Sequence, residues 1–316
     1  MNIKNVLIFG ASGQIGSYLV DYLYNNYPNL CIFPHVRDGS KIKYNLKYQF
    51  CYLTRQNIKE LIEYIRPDYI FNFISNSSVA NCIELEPTLH SNTLIIGNIL
   101  EAVSECMPNC RVFNAGSELE KDNDNLYALS KTLAFNLVSY YRRVENIFAV
   151  QPLIFTSTSP RQNERFLIPK IIKGALNIKD DIFNNRAITP ISLGDLSLRH
   201  SWGHALDIAT ASWHLLNLDK PQDLYLSGQQ NYSGQEIVAK IFDKLNIEYK
   251  IDSEGFYYLD GQPLVVINKK FFRKNDKNRL CSDNLFNITC KQLKWKPQFD
   301  IDKILQSMID YYQWTK

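Results

Sequence analysis

The sequence predicts an α/β fold in which a doubly wound parallel sheet is followed by a smaller α/β lobe. Three observations predict it. Apolar runs of strand length alternate with helical stretches from residue 5 onward, the first run ends in a glycine turn that opens straight into a helix, and the alternation lapses after residue 155. A strand covered on both faces reads as a near-continuous apolar run, and strands linked through helices pair in parallel. Residues 1–155 are accordingly expected to form the sheet domain. Residues 156–316 are expected to form mainly the lobe, interleaved with returning strands of the sheet.

Residues 5–9 (NVLIF) are the first strand. Ile15, Leu19, Tyr22 and Leu23 recur at helical spacing, which predicts a helix over 14–24. Residues 30–36 read as the second strand, 58–65 as a helix, and 69–74 (YIFNFI) as a buried strand closed by the polar run Ser75-Asn76-Ser77-Ser78. A helix over 92–106, a strand over 111–114, a helix over 125–143 and a strand over 147–154 continue the rhythm. Ser157-Thr158-Ser159-Pro160 is a loop, and helices follow over 166–176, 233–245 and 301–312.

Composition excludes several function classes. Of the 316 residues 45% are hydrophobic and 21% charged, ordinary values for a globular chain and too apolar for a disordered one. A net charge of +3 gives no electrostatic footprint for nucleic acid or anionic lipid. No apolar run approaches the roughly 20 residues that span a bilayer, and the start of the chain lacks a basic segment followed by a cleavable apolar run. The seven cysteines are odd in number, include no C-x-x-C pair, and have no histidine at ligand spacing. They predict no metal site and a reducing, cytoplasmic setting.

Gly10-Ala11-Ser12-Gly13-Gln14-Ile15-Gly16 reads G-x-x-G-x-x-G between the first strand and the first helix. Gly10 allows the tight turn, Gly13 lets the backbone approach a pyrophosphate, and Gly16 lets helix and strand pack closely. Ser12, Gln14 and Ile15 complete the turn, with the phosphate facing the helix N-terminus. The pattern predicts a Rossmann-type dinucleotide site. The second strand ends His35-Val36-Arg37-Asp38. Arg37 suits a 2′-phosphate through its fork of donors, so NADP is the expected cofactor, while Asp38 keeps NAD open.

Tyr127 and Lys131 form Y-x-x-x-K within a helical stretch, so both side chains share one face a turn apart. An ammonium beside a phenol, together with an oxidised nicotinamide, favours phenolate and lowers the tyrosine pKa toward working pH. Such a tyrosine can remove or return the proton of an alcohol while hydride moves to or from nicotinamide.

With these residues in place, the sequence resembles the extended short-chain dehydrogenase/reductases, and within them the GDP-mannose 4,6-dehydratases. Arg66-Pro67-Asp68 with Asn72-Phe73-Ile74-Ser75-Asn76-Ser77 is similar to that family's R-P-D-x-x-x-N-L-A-A-Q-S segment. The stretch from Phe155 to Phe166, with Ser159-Pro160-Arg161 and Glu164, resembles its substrate loop. Trp202-Gly203 with Asp207, Phe271-Phe272-Arg273 and Leu293-Lys294-Trp295-Lys296-Pro297 continue the likeness in order. The resemblance implies a lyase acting on a nucleotide-diphospho-sugar, with NADP regenerated inside each turnover. It assigns Tyr127 as base, Lys131 as its electrostatic tuner, Glu118 as the base for the sugar C5 proton, and Ser117 beside them. It further assigns Leu53, Phe73, Ser75 and Asn92 to the cofactor, and Ser77, Thr156, Arg161, Lys170, Arg199, Trp202 and Arg273 to the sugar nucleotide. It implies a homodimer or homotetramer.

The sequence also departs from that pattern. Gly116-Ser117-Glu118 stands where the family has Thr-Ser-Glu, removing a hydroxyl beside the sugar. Glu120-Lys121 replaces Tyr-Gly, Thr156-Ser157-Thr158 replaces Asn-His-Glu, and His200 replaces an arginine. Two alternatives therefore stay open beside the dehydratase: a 4-keto-sugar reductase or epimerase of the same fold, and a catalytically weakened nucleotide-binding scaffold.

Overall fold

The computed structural model describes residues 4–36, 53–122, 124–252, 255–257, 260–272 and 276–315. In chain order the first elements are β1 (Lys4–Phe9), α1 (Gln14–Asn26), β2 (Leu30–His35), α2 (Arg55–Ile65), β3 (Tyr69–Asn72), α3 (Leu85–Leu89), α4 (Ile95–Cys106) and β4 (Arg111–Asn114). They continue as α5 (Leu126–Val144), β5 (Ala149–Val150), β6 (Leu153–Ile154), β7 (Ser157–Thr158), α6 (Leu167–Phe183), β8 (Ile191–Leu193), β9 (Arg199–Ser201) and β10 (Gly203–His204). The remainder are α7 (Ala205–Leu216), β11 (Tyr225–Leu226), β12 (Asn231–Ser233), α8 (Gly234–Leu245), β13 (Lys250–Asp252), β14 (Gly255–Tyr257), β15 (Pro263–Ile267), α9 (Asp283–Leu293) and α10 (Ile301–Trp314). They divide into two compact units, the first made of Met1–Phe155, Ala205–Leu226 and Asp283–Lys296, the second of the rest.

The first unit is built on a parallel five-stranded sheet of order β2-β1-β3-β4-β5. The centres of β1 and β3 are continuously apolar because alternate side chains serve two cores. Val6 and Ile8 of β1 and Tyr69 and Phe71 of β3 join Leu19, Val20 and Leu23 of α1 and Ile208 and Leu215 of α7 on one face. Leu7 and Phe9 of β1 and Ile70 of β3 join Ile58 and Ile62 of α2, Ile99 of α4 and Val138 of α5 on the other. Helix starts follow side-chain capping. Thr54 accepts from the Asn57 N–H at 3.2 Å and Asn125 from the Ala128 N–H at 2.9 Å. α2 stops at Arg66, which adopts φ 51° ahead of Pro67, and the Asp68 carboxylate then takes the Asn5 N–H at 2.8 Å. The Arg66-Pro67-Asp68 motif is thus a helix stop that aims β3 alongside β1.

The strand expected over 147–154 is two short strands. Pro152 has no N–H to give a ladder, and the Gln151 N–H is taken by the Asp223 carboxylate at 2.7 Å. β5 pairs with β4, whereas β6 pairs with the returning β11. Asp223 anchors that return by a second route, a two-pronged pair with Arg142 at 2.8 and 2.7 Å, while the Arg142 Nε donates to the Ala149 carbonyl at 2.7 Å. Because this pair is mostly shielded from water, D223A is expected to lower stability by about 2 kcal/mol, measured by urea unfolding. The helix expected over 92–106 opens as a π-type segment, His90–Leu94, before α4 proper. α7 and α9 lie where sequence periodicity singled out no helix.

In the second unit, α6, α8 and α10 pack their apolar faces into one core with Ile191, Leu193, Val265 and Phe256 of the four-stranded sheet β13-β14-β15-β8. Ser233 and Glu236 form a reciprocal cap at the start of α8. Among the described residues, no helix is long and apolar enough to cross a membrane.

Candidate active site

The strand order of the first unit reverses direction at β1, since β2 lies on one side and β3, β4 and β5 on the other. A reversal of this kind opens a crevice at the carboxyl ends of the strands. Gly10 closes β1 there with φ +74°, and a β-carbon on it would stand 2.9 Å from both the Ile74 nitrogen and the Phe73 carbonyl carbon. A β-carbon on Gly16 would stand 2.4 Å from the Gly10 oxygen. Both positions therefore need glycine. Gly13 is the N-cap of α1, and it is exposed, and the first turn has no side-chain cap from it and no acidic residue. This is a cradle for a phosphate, and it fits the pyrophosphate of a dinucleotide.

Beyond the end of β4 the chain passes through Ala115 to Leu119 and turns into the short 3-10 segment Glu118–Lys121 beside α5. Lys131, 2% exposed, donates its Nζ to the Ala115 carbonyl at 2.8 Å and lies 5.9 Å from the centre of the Tyr127 ring. Tyr127, 8% exposed, has the Ser117 side chain beside it, whose hydroxyl favours the ionised phenol. Ser117 Oγ also donates to Glu118 Oε2 at 3.3 Å and accepts from the Leu119 N–H at 3.2 Å. Tyr127, Lys131, Ser117 and Glu118 are thus one cluster. Burial pushes Tyr127 well above its ordinary value, with Glu118, Cys82 and Glu120 adding to the rise and Ser117 opposing it. Burial pushes Lys131 down to about 8, opposed by Glu120 and Cys82.

A buried polar chain runs behind this cluster, across the ends of three strands. Asn72 donates to Asn114 at 2.8 Å, Asn114 to Gln151 at 2.6 Å, and Gln151 Nε2 to both Glu120 Oε2 at 2.9 Å and the Lys131 carbonyl at 3.0 Å. Burial raises the Glu120 carboxyl to about 7 against the opposing pull of Gln151, the Ser117 N–H and Lys131. Glu120 and Gln151 were not singled out as site residues from sequence. The available signal was a glutamine inside the apolar run 147–155, since a polar group there must find a partner.

A family model described as GDP-mannose 4,6 dehydratase matches residues 7–119 and 120–308. The chain belongs to the GDP-mannose 4,6 dehydratase family. The GDP-mannose 4,6 dehydratase of Drosophila melanogaster is 25% identical over 346 residues, covering 97% of this chain and 85% of that protein. The Homo sapiens protein of the same name is 27% identical over 346 residues, covering 97% of this chain and 91% of its own length. Among solved structures, MoeE5 in complex with UDP-glucuronic acid and NAD superposes with a TM-score of 0.78 at 17% identity, covering 99% of this chain and 100% of that one. That likeness shows a shared fold, the Rossmann-type sheet with flanking helices.

Positions that the GDP-mannose 4,6 dehydratase pattern assigns to ligands fall into distinct environments. On the cofactor side, Ser12, Gln14 and Ile15 stand partly exposed in the glycine turn, and Phe73 packs 5.3 Å from Phe113 at the end of β3. The side chain of Leu53 is core, packed with Leu7 and Ile58. Asn92, 2% exposed, accepts from Ser75 Oγ at 3.0 Å and the Asn76 N–H at 2.8 Å and donates to Ser130 at 3.0 Å. It braces the loop after β3 against α5 and presents no free amide to a ligand. Ser77 is exposed on that loop. In the second unit, the Thr156 carbonyl accepts the Gly203 N–H at 2.9 Å, Arg161 is exposed, and the Lys170 Nζ sits 4.0 Å over the Phe271 ring. Trp202 is buried in the core of that unit with its indole N–H donated to the Tyr232 carbonyl at 3.2 Å. Arg199 is likewise engaged, by Glu236 at 2.9 Å and the Asn231 carbonyl at 2.8 Å. Arg37 and Arg273, with Asp38, lie outside the described residues.

Proposed function

We propose that this chain is an NAD(P)-dependent nucleotide-sugar 4,6-dehydratase acting on a nucleoside-diphosphate hexose, with GDP-mannose the substrate its family favours. The observation that carries this reading is the carboxylate of Glu118, 3.3 Å from the hydroxyl of Ser117, the side chain that lies beside the Tyr127 phenol. A reductase or a 4-epimerase needs only the phenol and ammonium. Loss of water from C6 needs a second base, because the proton at C5 must leave once C4 has become a ketone.

The chemistry supplied by bound NAD(P) is acceptance of hydride at C4 and its return at C6, which closes the redox balance within one turnover. Tyr127 takes the C4 hydroxyl proton, and Lys131 offsets the negative charge left on the phenol. Glu118 then accepts the C5 proton and gives it to the C6 oxygen, which departs as water, and the proton held by Tyr127 returns to C5 when hydride reaches C6. Ser117 keeps phenol and carboxylate in register. The uncapped first turn of α1 and the glycines at 10, 13 and 16 suit the pyrophosphate. Arg37 favours NADP over NAD, and Arg161, Lys170 and Arg273 are the cations available to the sugar nucleotide. Exposed Leu129, Leu133 and Tyr140 along α5 support assembly as a homodimer or homotetramer, and six free thiols among the described residues support a cytoplasmic setting.

Incubation with GDP-, CDP-, UDP- and dTDP-hexoses tests this reading. One of them is expected to lose the mass of water without consuming added NADPH. Stoichiometric NADPH oxidation would assign a reductase instead, mass-neutral isomerisation an epimerase, and thermal protection by NADP or GDP without turnover a binding scaffold. E118Q is expected to slow water loss by about a hundred-fold, read by mass spectrometry. An unchanged rate would strip Glu118 of its role.

A further inference from the structure

We propose that Gln151 is a positioning residue whose one amide nitrogen brackets the two segments that carry the bases and so fixes the place of Glu118 relative to Tyr127. The inference rests on the dehydratase reading for its kinetic consequence and on hydrogen bonds alone for the bracket.

Gln151 is fully buried just past β5, and its nitrogen serves two acceptors. One is the Lys131 carbonyl at 3.0 Å, on the helix that carries Tyr127, and the other is Glu120 Oε2 at 2.9 Å. That same oxygen receives the Ser117 N–H at 3.4 Å, and Ser117 Oγ donates to Glu118 Oε2 at 3.3 Å. Hydrogen bonds therefore run from the main chain of α5 through Gln151, Glu120 and Ser117 to the Glu118 carboxylate. The Gln151 amide is fixed in direction, because its oxygen accepts from Asn114 at 2.6 Å and Asn114 accepts from Asn72 at 2.8 Å. Turned over, it would set an oxygen against two acceptors and a nitrogen against a donor.

Thr132 Oγ1 ties the same two segments by donating to the Glu120 carbonyl. One tether on the main chain of a short 3-10 segment lets it swivel, and a second on its side chain stops the swivel. Two departures from the family pattern meet here. Glutamate at 120 is the acceptor, and a β-carbon on Gly116 would stand 2.8 Å from Gln151 Cγ and 3.2 Å from Glu120 Oε2. A larger residue at 116 would crowd both members of the bracket.

The reaction makes unequal use of this arrangement. Hydride leaves C4 beside Tyr127 and Lys131, on a helix of 19 residues that is held by its own core contacts. Loss of the C5 proton comes next, and it needs Glu118 at the neighbouring carbon while the sugar stays where Tyr127 engaged it. A base displaced by about an ångström loses on the order of a hundred-fold in rate. Loosening the 3-10 segment therefore slows the second step and spares the first.

Q151E puts an oxygen of similar size in place of the nitrogen and removes both donations. In a single turnover of GDP-mannose, or of the hexose nucleotide found to lose water in its place, Q151E is expected to release water about a hundred-fold more slowly than the wild type. C4 oxidation is expected to stay within about three-fold, so reduced nicotinamide accumulates and is read by its absorbance. Combining Q151E with E120Q exchanges amide and carboxylate, restores the bond between positions 120 and 151, and is expected to recover about ten-fold of the lost rate. Equal slowing of both steps, or no slowing, marks Gln151 as merely structural and overturns the proposal. A double variant that regains the thermal midpoint but not water loss overturns it too. If Q151E does not fold, Q151N keeps the amide but draws it back by one methylene, and it is read in the same way. A further measurement needs no substrate. Hydrogen exchange over 116–121 is expected to quicken by about ten-fold in Q151E and to return in the double variant, with α5 unaltered. Unchanged exchange over 116–121 overturns the bracket. If no sugar nucleotide turns over, the dehydratase reading fails, and hydrogen exchange still decides the bracket.

Discussion

Phenylalanine at position 127 is expected to reduce turnover of the nucleotide sugar by about 10³-fold while the protein stays folded and binds its dinucleotide. The substitution deletes one buried oxygen. The Ser117 hydroxyl beside it keeps its bonds to Leu119 and Glu118, so stability is expected to fall by no more than about 1 kcal/mol. The rate falls far more, because no other group in the cluster can take the C4 proton. Lys131 is tied to the Ala115 carbonyl, Glu118 hangs from Ser117, and Glu120 is enclosed behind them. The pH dependence of the wild-type protein follows from the same residues. The reaction needs the lysine charged, and burial brings its proton loss down to about 8, so activity is expected to decline as pH rises through that value. Initial rates across pH, with dinucleotide affinity and thermal midpoint measured beside them, check both statements. Retention of more than a tenth of the rate by Y127F would remove the phenol from the chemistry.

The parts of the molecule legible in sequence are those governed by local periodicity or local stereochemistry. β1, β3 and β4 were legible because a strand with core on both faces has an apolar centre, as 6–9, 69–71 and 112–113 do. The glycine turn was legible because its close approaches exclude a β-carbon, and the Tyr127–Lys131 pair because four residues make one helical turn. What escaped depends on partners distant in sequence. Nothing near Gln151 announces that its N–H goes to Asp223, 72 residues on, and so the break between β5 and β6 was read as one strand. Nor do the residues around Trp202 and Arg199 announce their contacts with Tyr232 and Glu236, 30 or more residues on. The chain from Asn72 to Glu120 draws one residue each from four separate segments, and only the folded sheet sets them in line.

The family pattern invites restoration of threonine at position 116, and the structure argues that G116T will fail. A β-carbon there would lie 2.3 Å from the Pro152 carbonyl oxygen and 2.8 Å from the Gln151 Cγ. The first of these is backbone at the junction between β5 and β6, held on one side by the Asp223 carboxylate and on the other by pairing with β11. It cannot withdraw by an ångström without breaking one of those anchors. Overpacking against a fixed backbone is expected to cost about 3 kcal/mol, observed as a thermal midpoint lowered by roughly 5 to 10 °C. The loss belongs to the first carbon of the side chain, so G116A is expected to show most of it and threonine only a little more. Removing Glu120 as well relieves the 3.2 Å neighbour but not the carbonyl, and E120A is therefore expected not to rescue G116T. An alanine variant within a degree of the wild-type midpoint would show that the junction yields, and the glycine would then need another reason. If the cost is as large as stated, this member of the family has exchanged the threonine hydroxyl for a tighter seam between strands and a buried carboxylate, with Ser117 left beside the phenol.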